Sequence, residues 1–193
     1  MKNHINLTDH QLIQLFNNGE AYALEILINR HKTRIFTSIY LLVKDKYLAE
    51  DIFQDLFIKI IETLRAGKYQ DENKFVQWAM RIAHNLCVDH FRKIKNKPVI
   101  RTSNGTDIFE ILHFENSNAE DNIIQQQTGE RLMKLVSKLP EDQREIIILR
   151  HFADLKFREI SKILNCSVNT ALGRMRYALL NLRKMIEEQQ VAL

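Results

Sequence analysis

Residues 156–184 read KFREISKILNCSVNTALGRMRYALLNLRK. Phe157, Ile160, Ile163 and Leu164 recur at helical spacing, which predicts a short helix over about 157–164. Asn165-Cys166-Ser167 then forms a three-residue turn, and the Ser167 hydroxyl can cap the helix that follows. That second helix runs from Val168 to about Glu188. Its Val168, Ala171, Met175, Ala178 and Leu182 are separated by steps of 3, 4, 3 and 4, which makes one buried stripe. A short helix, a tight turn and a longer helix are the helix-turn-helix layout. Outward near the start of the second helix lie Asn169, Thr170, Leu172, Gly173, Arg174, Arg176 and Tyr177, and no acid occurs between 168 and 184. An α-helix fits the DNA major groove with its N-terminal half at the base edges. Helix N–H groups and Thr170 can hold a phosphate, and Arg174 can reach a phosphate or a guanine edge. A solvated basic face would carry the same charges. The DNA reading therefore rests on turn length, buried stripe and acid-free face occurring together.

Nearly every segment outside this stretch also shows helical periodicity. Upstream, helices are expected over about 123–138 and, with Pro140 in its first turn, about 141–152. Thr8-Asp9-His10-Gln11 fits a capping box opening a helix to about Asn17, with Gly19 as punctuation. Ala21 to about Val43 is a long pattern with Ala23, Leu24, Leu27, Ile28, Ile35, Ile39 and Leu42 inside, broken at Lys44-Asp45-Lys46. Leu48 to about Leu64 places Ile52, Phe53, Leu56, Phe57, Ile60 and Leu64 inward. Asn73 to about Lys95 places Phe75, Trp78, Ala79, Ile82, Ala83 and Leu86 on one face, and Pro98 closes the block. Residues 98–122 lose the pattern and read as a linker, although Ile108, Phe109, Ile111, Leu112 and Phe114 could dock somewhere.

Charge follows the same division. Residues 1–97 carry 15 basic and 11 acidic side chains, residues 98–122 one and five, and residues 123–193 12 and 8. Two basic blocks flank an acidic strip, as expected of two modules that meet a polyanion through a segment that does not. Within the first block, Glu50, Asp51, Gln54 and Asp55 line one side of a helix, a pattern of either a protein-binding face or plain solubility. The next helix inverts the sign, with Arg81, Arg92, Lys93, Lys95 and Lys97 against Asp89, and with Tyr69, Phe75, Trp78 and Phe91 close by. Basic charge beside aromatics holds unstacked single strands, whereas Phe75 and Trp78 can equally be core.

Other classes are disfavoured. The 193 residues suit one medium or two small domains, with 45% hydrophobic and 27% charged residues. There are 5 Gly and 2 Pro, few for a turn-rich sheet protein, and no Gly-rich phosphate loop. No apolar run approaches a membrane span and no signal peptide opens the chain, so a cytoplasmic protein is expected. Cys87 and Cys166 form no disulfide framework. His84, Cys87, Asp89 and His90 lie close in sequence, but the steps of three drift around a helix, so neither a metal nor another cofactor is expected. No nucleophile–base pair suggests catalysis.

Taken together, the two halves resemble the extracytoplasmic-function sigma factors, the small promoter-specificity subunits of bacterial RNA polymerase. The resemblance rests on Ala49-Glu50-Asp51-Ile52-Phe53-Gln54-Asp55-Leu56-Phe57, on the run from Phe75 to Asn85, and on Asp89-His90-Phe91-Arg92-Lys93. In the second half it rests on Leu139-Pro140, Arg144-Glu145-Ile146, Glu159-Ile160, Val168-Asn169-Thr170-Ala171 and Tyr177-Ala178-Leu179. It implies an all-α protein: sigma domain 2 over 1–97, the acidic linker over 98–122, and the helix-turn-helix sigma domain 4 over 123–193. Asp51, Gln54 and Asp55 would bind the β′ clamp of core RNA polymerase. The 67–73 loop and Asn85 would hold an extruded base of the promoter −10 element, with Arg81, Arg92 and Lys93 on its backbone. Thr170 and Arg174 would grip −35 phosphates, while Leu172, Gly173, Arg176 and Tyr177 face base edges. Promoter DNA, the β flap and an anti-sigma factor are the further partners implied, and the linker would thread towards the RNA exit path. The family often has Val-Lys-Ser-Arg where this chain has Ala171-Leu172-Gly173-Arg174, which removes two hydrogen-bonding side chains from the groove-facing surface. Leu172 could instead meet a thymine methyl. The rival reading is a stand-alone helix-turn-helix regulator, which would need no acidic face.

Overall fold

Local capping chemistry sets most of the helix boundaries. A computed structural model describes residues 7–70, 73–95 and 131–191. The chain divides between residues 102 and 103 into two compact units. The described residues contain helices and turns and no strand. The expected linker and the Pro98 stop lie outside the described residues, as does the expected start of the 123–138 helix.

In the first unit, helix α1 spans Asp9–Asn17 and opens on the expected capping box. Gln11 N–H donates to Thr8 Oγ1 at 3.3 Å, and Thr8 N–H donates to Gln11 Oε1 at 2.8 Å. Helix α2 covers Ala21–Val43 and ends on Lys44, whose φ of 58° is left-handed. The next residue, Asp45, accepts from Leu48 N–H at 2.9 Å and starts α3, Lys46–Arg65. Two residues thus stop one helix and launch the next, so α3 begins two residues before the apolar pattern does. After Asn73, also left-handed at φ 56°, α4 runs Phe75–Lys95.

α2 packs against α1, α3 and α4, and α3 against α4. Leu12, Leu27, Ile35, Ile39, Leu56, Ile60, Leu64, Phe75 and Met80 are fully enclosed. Each such side chain contributes roughly 1.5–3 kcal/mol of burial. On α4 the buried set is Phe75, Val76, Ala79, Met80, Ala83, His84 and Cys87. The expected inward face is therefore turned: Trp78, Ile82 and Leu86 are half-buried, as are Leu24 and Ile28 of α2 and Phe53 of α3.

In the second unit, residues 131–138 are helical (α5) and bury Met133, Leu135 and Val136. Pro140 precedes α6, Glu141–Ile147. A single helix to Phe152 was the expectation; instead the backbone widens into a π turn over Ile148–Phe152. Ala153 N–H donates to the carbonyl of Ile148, five residues back, at 3.1 Å. Ile146, Ile147, Ile148 and Leu149 are all buried, and four consecutive side chains cannot share one face of a regular α-helix. Arg150 secures the turn by donating from Nη1 to the Leu155 carbonyl at 3.1 Å and by lying 5.8 Å from the Phe157 ring centroid.

Helix α7, Phe157–Ile163, opens with Lys156 N–H donating to Glu159 Oε2 at 2.8 Å. Left-handed Asn165 turns the chain, and α8 spans Val168–Val191. Thr170 N–H donates to Ser167 Oγ at 2.9 Å, the expected cap. Ala171, Met175, Ala178 and Leu182 form the buried stripe, but Val168 does not join it and is 39% exposed.

Candidate nucleic-acid and partner interfaces

The stripe that anchors α8 determines what the helix presents. With Ala171 and Ala178 fully buried, Asn169, Thr170, Leu172, Arg176 and Tyr177 are exposed, Tyr177 at 63%. Thr170 doubles the cap: its hydroxyl lies 2.8 Å from Ser167 Oγ. Gly173 is half-buried, and a Cβ built there would meet nothing within 4 Å. Arg174 is placed differently from Arg176. It is half-buried and sits on the α6 side, with Nε 3.6 Å from Asp142 Oδ2. Thr170, Leu172, Gly173, Arg176 and Tyr177 therefore share one outward surface, and Arg174 borders it. Beside this surface Leu172, Leu179 and Leu180, with Phe157, Met175, Arg176 and Arg183, line an open groove of about 420 Å³. Leu179 and Leu180 fall outside the periodic stripe read from the sequence and are exposed, although the sequence reading assigns them no role.

On α4, Arg81, Asn85 and Arg92 are exposed and separated by four and seven residues, so they fall on one face. Lys93 is exposed on the flank, about 100° round the helix from Arg92. Arg92 Nη1 is 3.4 Å from Asp89 Oδ1. Phe75 is core, whereas half-buried Trp78 packs against Tyr69 with ring centroids 4.4 Å apart and the planes tilted by 39°. Tyr69 belongs to the 67–73 loop, of which residues 71–72 lie outside the described residues. An aromatic pair beside Arg81 and Asn85 is chemistry suited to an unstacked base. His84 and Cys87 are buried and His90 half-buried on the same helix. Among the described residues no three His, Cys, Asp or Glu side chains come together as a metal site.

On α3, Asp51, Gln54 and Asp55 are exposed together, while Glu50 is half-buried at the edge. Two apolar side chains missed by the sequence reading share this face: Ile58, 54% exposed, and Tyr47. The signal was available, because 47, 51, 54, 55 and 58 follow helical spacing, but an isolated isoleucine reads as core.

Two helical units, one ending in a helix-turn-helix and the other exposing an acidic face and a basic, aromatic face, describe a bipartite transcription protein. Residues 27–97 match the Sigma-70 region 2 family model and residues 129–182 the Sigma-70, region 4 model. The chain is 26% identical over 171 residues to the RNA polymerase sigma-H factor of Pseudomonas aeruginosa, covering 86% of this chain and 88% of that protein. It is 26% identical over 180 residues to the ECF RNA polymerase sigma factor SigW of Bacillus subtilis, covering 91% and 95%. The solved structure of CnrH in complex with the cytosolic domain of CnrY shares the fold, with a TM-score of 0.66 at 19% identity, covering 94% of this chain and 99% of that one. The chain belongs to the sigma-70 family, in its extracytoplasmic-function branch. As such it is a factor for promoter-specific transcription initiation by RNA polymerase.

Proposed function

We propose that the first unit binds core polymerase through Asp51, Gln54 and Asp55 of α3 and opens the −10 element with α4, while α8 reads −35. Asn85, with the 67–73 loop, takes the extruded base; Arg81, Arg92 and Lys93 hold the strand's backbone. Flipping a base costs a few kcal/mol, and the Tyr69–Trp78 aromatic pair, which can receive an unstacked base, supports the role. Thr170 and Arg174 grip −35 phosphates, and Leu172, Gly173, Arg176 and Tyr177 meet the base edges. The acidic 98–122 segment, opposite in charge to the 1–97 and 123–193 blocks that flank it, suits a nucleic-acid path within the polymerase. A cytoplasmic location follows from work on the chromosome; among the described residues no helix is long and apolar enough to cross a membrane. CnrH was solved in complex with the cytosolic domain of CnrY, and the sigma factor RpoE of Bartonella quintana in complex with the anti-sigma factor NepR; an anti-sigma partner is proposed for this chain too.

One observation carries the reading. The chain exposes an acidic α3 face and a basic, aromatic α4 face in addition to a helix-turn-helix, and a stand-alone regulator needs only the last. Run-off transcription with purified core polymerase from the source organism, on genomic fragments, tests it. Specific starts that require this protein are expected. Duplex binding without core binding or any start would overturn the proposal in favour of a stand-alone regulator.

A further inference from the structure

Two adjacent residues in the first turn of α6 reach α8. Asp142 Oδ2 lies 3.6 Å from Arg174 Nε, and Gln143 Oε1 accepts from Asn181 Nδ2 at 2.7 Å. Arg174 and Asn181 are seven residues apart, two helical turns, so both lie on the same side of α8. α6 thus holds α8 at two points along one side, and the upper point is a guanidinium bordering the outward surface. An exposed arginine on a flexible stem samples many rotamers, and the planar fork discriminates only when it is aimed. A carboxylate at the Nε edge orients the plane and leaves the two Nη groups available, the end-on edge that a phosphate or a guanine can accept. Arg176 on the same helix is exposed and has no such carboxylate beside it among the ion pairs described. The pair therefore divides the work: Arg176 supplies mobile charge, and Arg174 a directed contact.

We propose that Asp142 is a positioning residue for promoter recognition, acting through Arg174. The proposal rests on the reading of α8 as the −35 helix. Its competitor is purely electrostatic: a carboxylate near DNA repels phosphate and neutralises a useful cation, so its loss would strengthen binding.

The two roles differ in sign. Asp142→Asn keeps the shape and removes the charge. With full-length protein assembled on core polymerase, and a mapped promoter fragment against an unrelated duplex, the substitution should weaken cognate binding about three- to tenfold. Because Arg174 is read as a phosphate contact, unrelated-duplex binding should weaken alongside cognate binding, and Asp142→Glu, which keeps the charge on a longer arm, should recover most of the loss on both. Equal or tighter cognate binding by Asp142→Asn, with a salt slope steeper by about one, would overturn positioning in favour of repulsion. Failure of Asp142→Glu to recover the loss would also overturn it. Arg174→Ala in the same assay separates the two levels. If it leaves cognate binding unchanged, the −35 reading of Arg174 fails. If it weakens binding while Asp142→Asn does not, only the positioning role is overturned.

Discussion

Asp9 joins two helices of the first unit through one carboxylate. Its Oδ1 accepts from Arg30 Nη1 at 2.7 Å, and its Oδ2 lies 2.8 Å from His31 Nε2. Arg30 also donates to the Leu7 carbonyl at 2.7 Å, and the His31 ring stands 5.6 Å from that of Phe75 on α4. The residue therefore ties the start of α1 to the middle of α2 at a point braced by the core. Burial alone would raise the Asp9 pKa, but the hydrogen bonds and charges of His31 and Arg30 outweigh it and hold the carboxyl below its ordinary 3.8. A depressed carboxyl pKa contributes stability above the unfolded value, and that contribution is lost as pH falls through the folded one. Asp9→Asn should cost about 1 kcal/mol at neutral pH. The difference from the unsubstituted protein should shrink below the ordinary carboxylate pKa and vanish below the folded one. Urea melts across this acid range measure it; an undiminished difference at the acid end would show that shape, not charge, carries the effect.

At the scale of elements, capping residues made boundaries legible where they lie inside familiar motifs. Thr8 with Gln11, and Ser167 with Thr170, announce α1 and α8 because the same short spacing that is visible in the sequence makes the hydrogen bonds. Asp45 does the same for α3, yet it follows directly on a left-handed Lys44 and reads as part of a break. The π turn at Ile148–Phe152 was not legible, since four consecutive apolar residues carry no period. α4 was legible as a helix but its buried side was turned, because aromatic and aliphatic residues occupy both its core and its half-exposed edge. α8 permits an elemental test. Gly173 has room for a Cβ, and alanine is the better helix former by about 1 kcal/mol. Gly173→Ala should therefore raise the melting temperature of the second unit. It should also weaken −35 binding, because the added methyl lies on the outward surface. A stabilised variant with unaltered duplex affinity would remove Gly173 from the contact.

On the α3 face proposed to meet core polymerase, two kinds of contribution can be separated. Interfaces draw most of their affinity from a few apolar anchors, while rim charges act on association rate and salt dependence. Ile58→Ala should weaken core-polymerase binding about tenfold with little change in salt dependence. Asp55→Ala should slow association and flatten the salt dependence. Stopped-flow association and competition binding distinguish them. Equal salt behaviour for both would mean that Ile58 is a bystander on an electrostatic face. The exposure of Asp51, Gln54 and Asp55 was legible because polar side chains in an otherwise periodic pattern mark the outside. The exposure of Ile58 was available from the same spacing, which sets it apart from core Ile52 and Ile60, but residue type alone does not mark it as outward.

For the whole molecule, the decisive property is that the surfaces proposed to read duplex and to hold a single strand belong to different units of one chain. If both act, a promoter must present two sites at once. A helix seated in the major groove addresses one face of the duplex, and that face recurs only every 10–10.5 base pairs. If α8 and α4 act simultaneously within a holoenzyme, inserting about five base pairs between −35 and −10 places the second element on the opposite face. Initiation should fall by at least about an order of magnitude and return in part when a full turn is inserted, limited by the longer reach. Asn85→Ala complements this: permanganate reactivity at −10 should drop while closed-complex binding through α8 persists. Had the protein acted as a stand-alone regulator, the spacer between these two elements would not couple to its own binding. Its Asn85 variant would also open promoters normally. Spacer phase and strand opening therefore test, in one set of templates, whether the two basic blocks work as a single promoter reader.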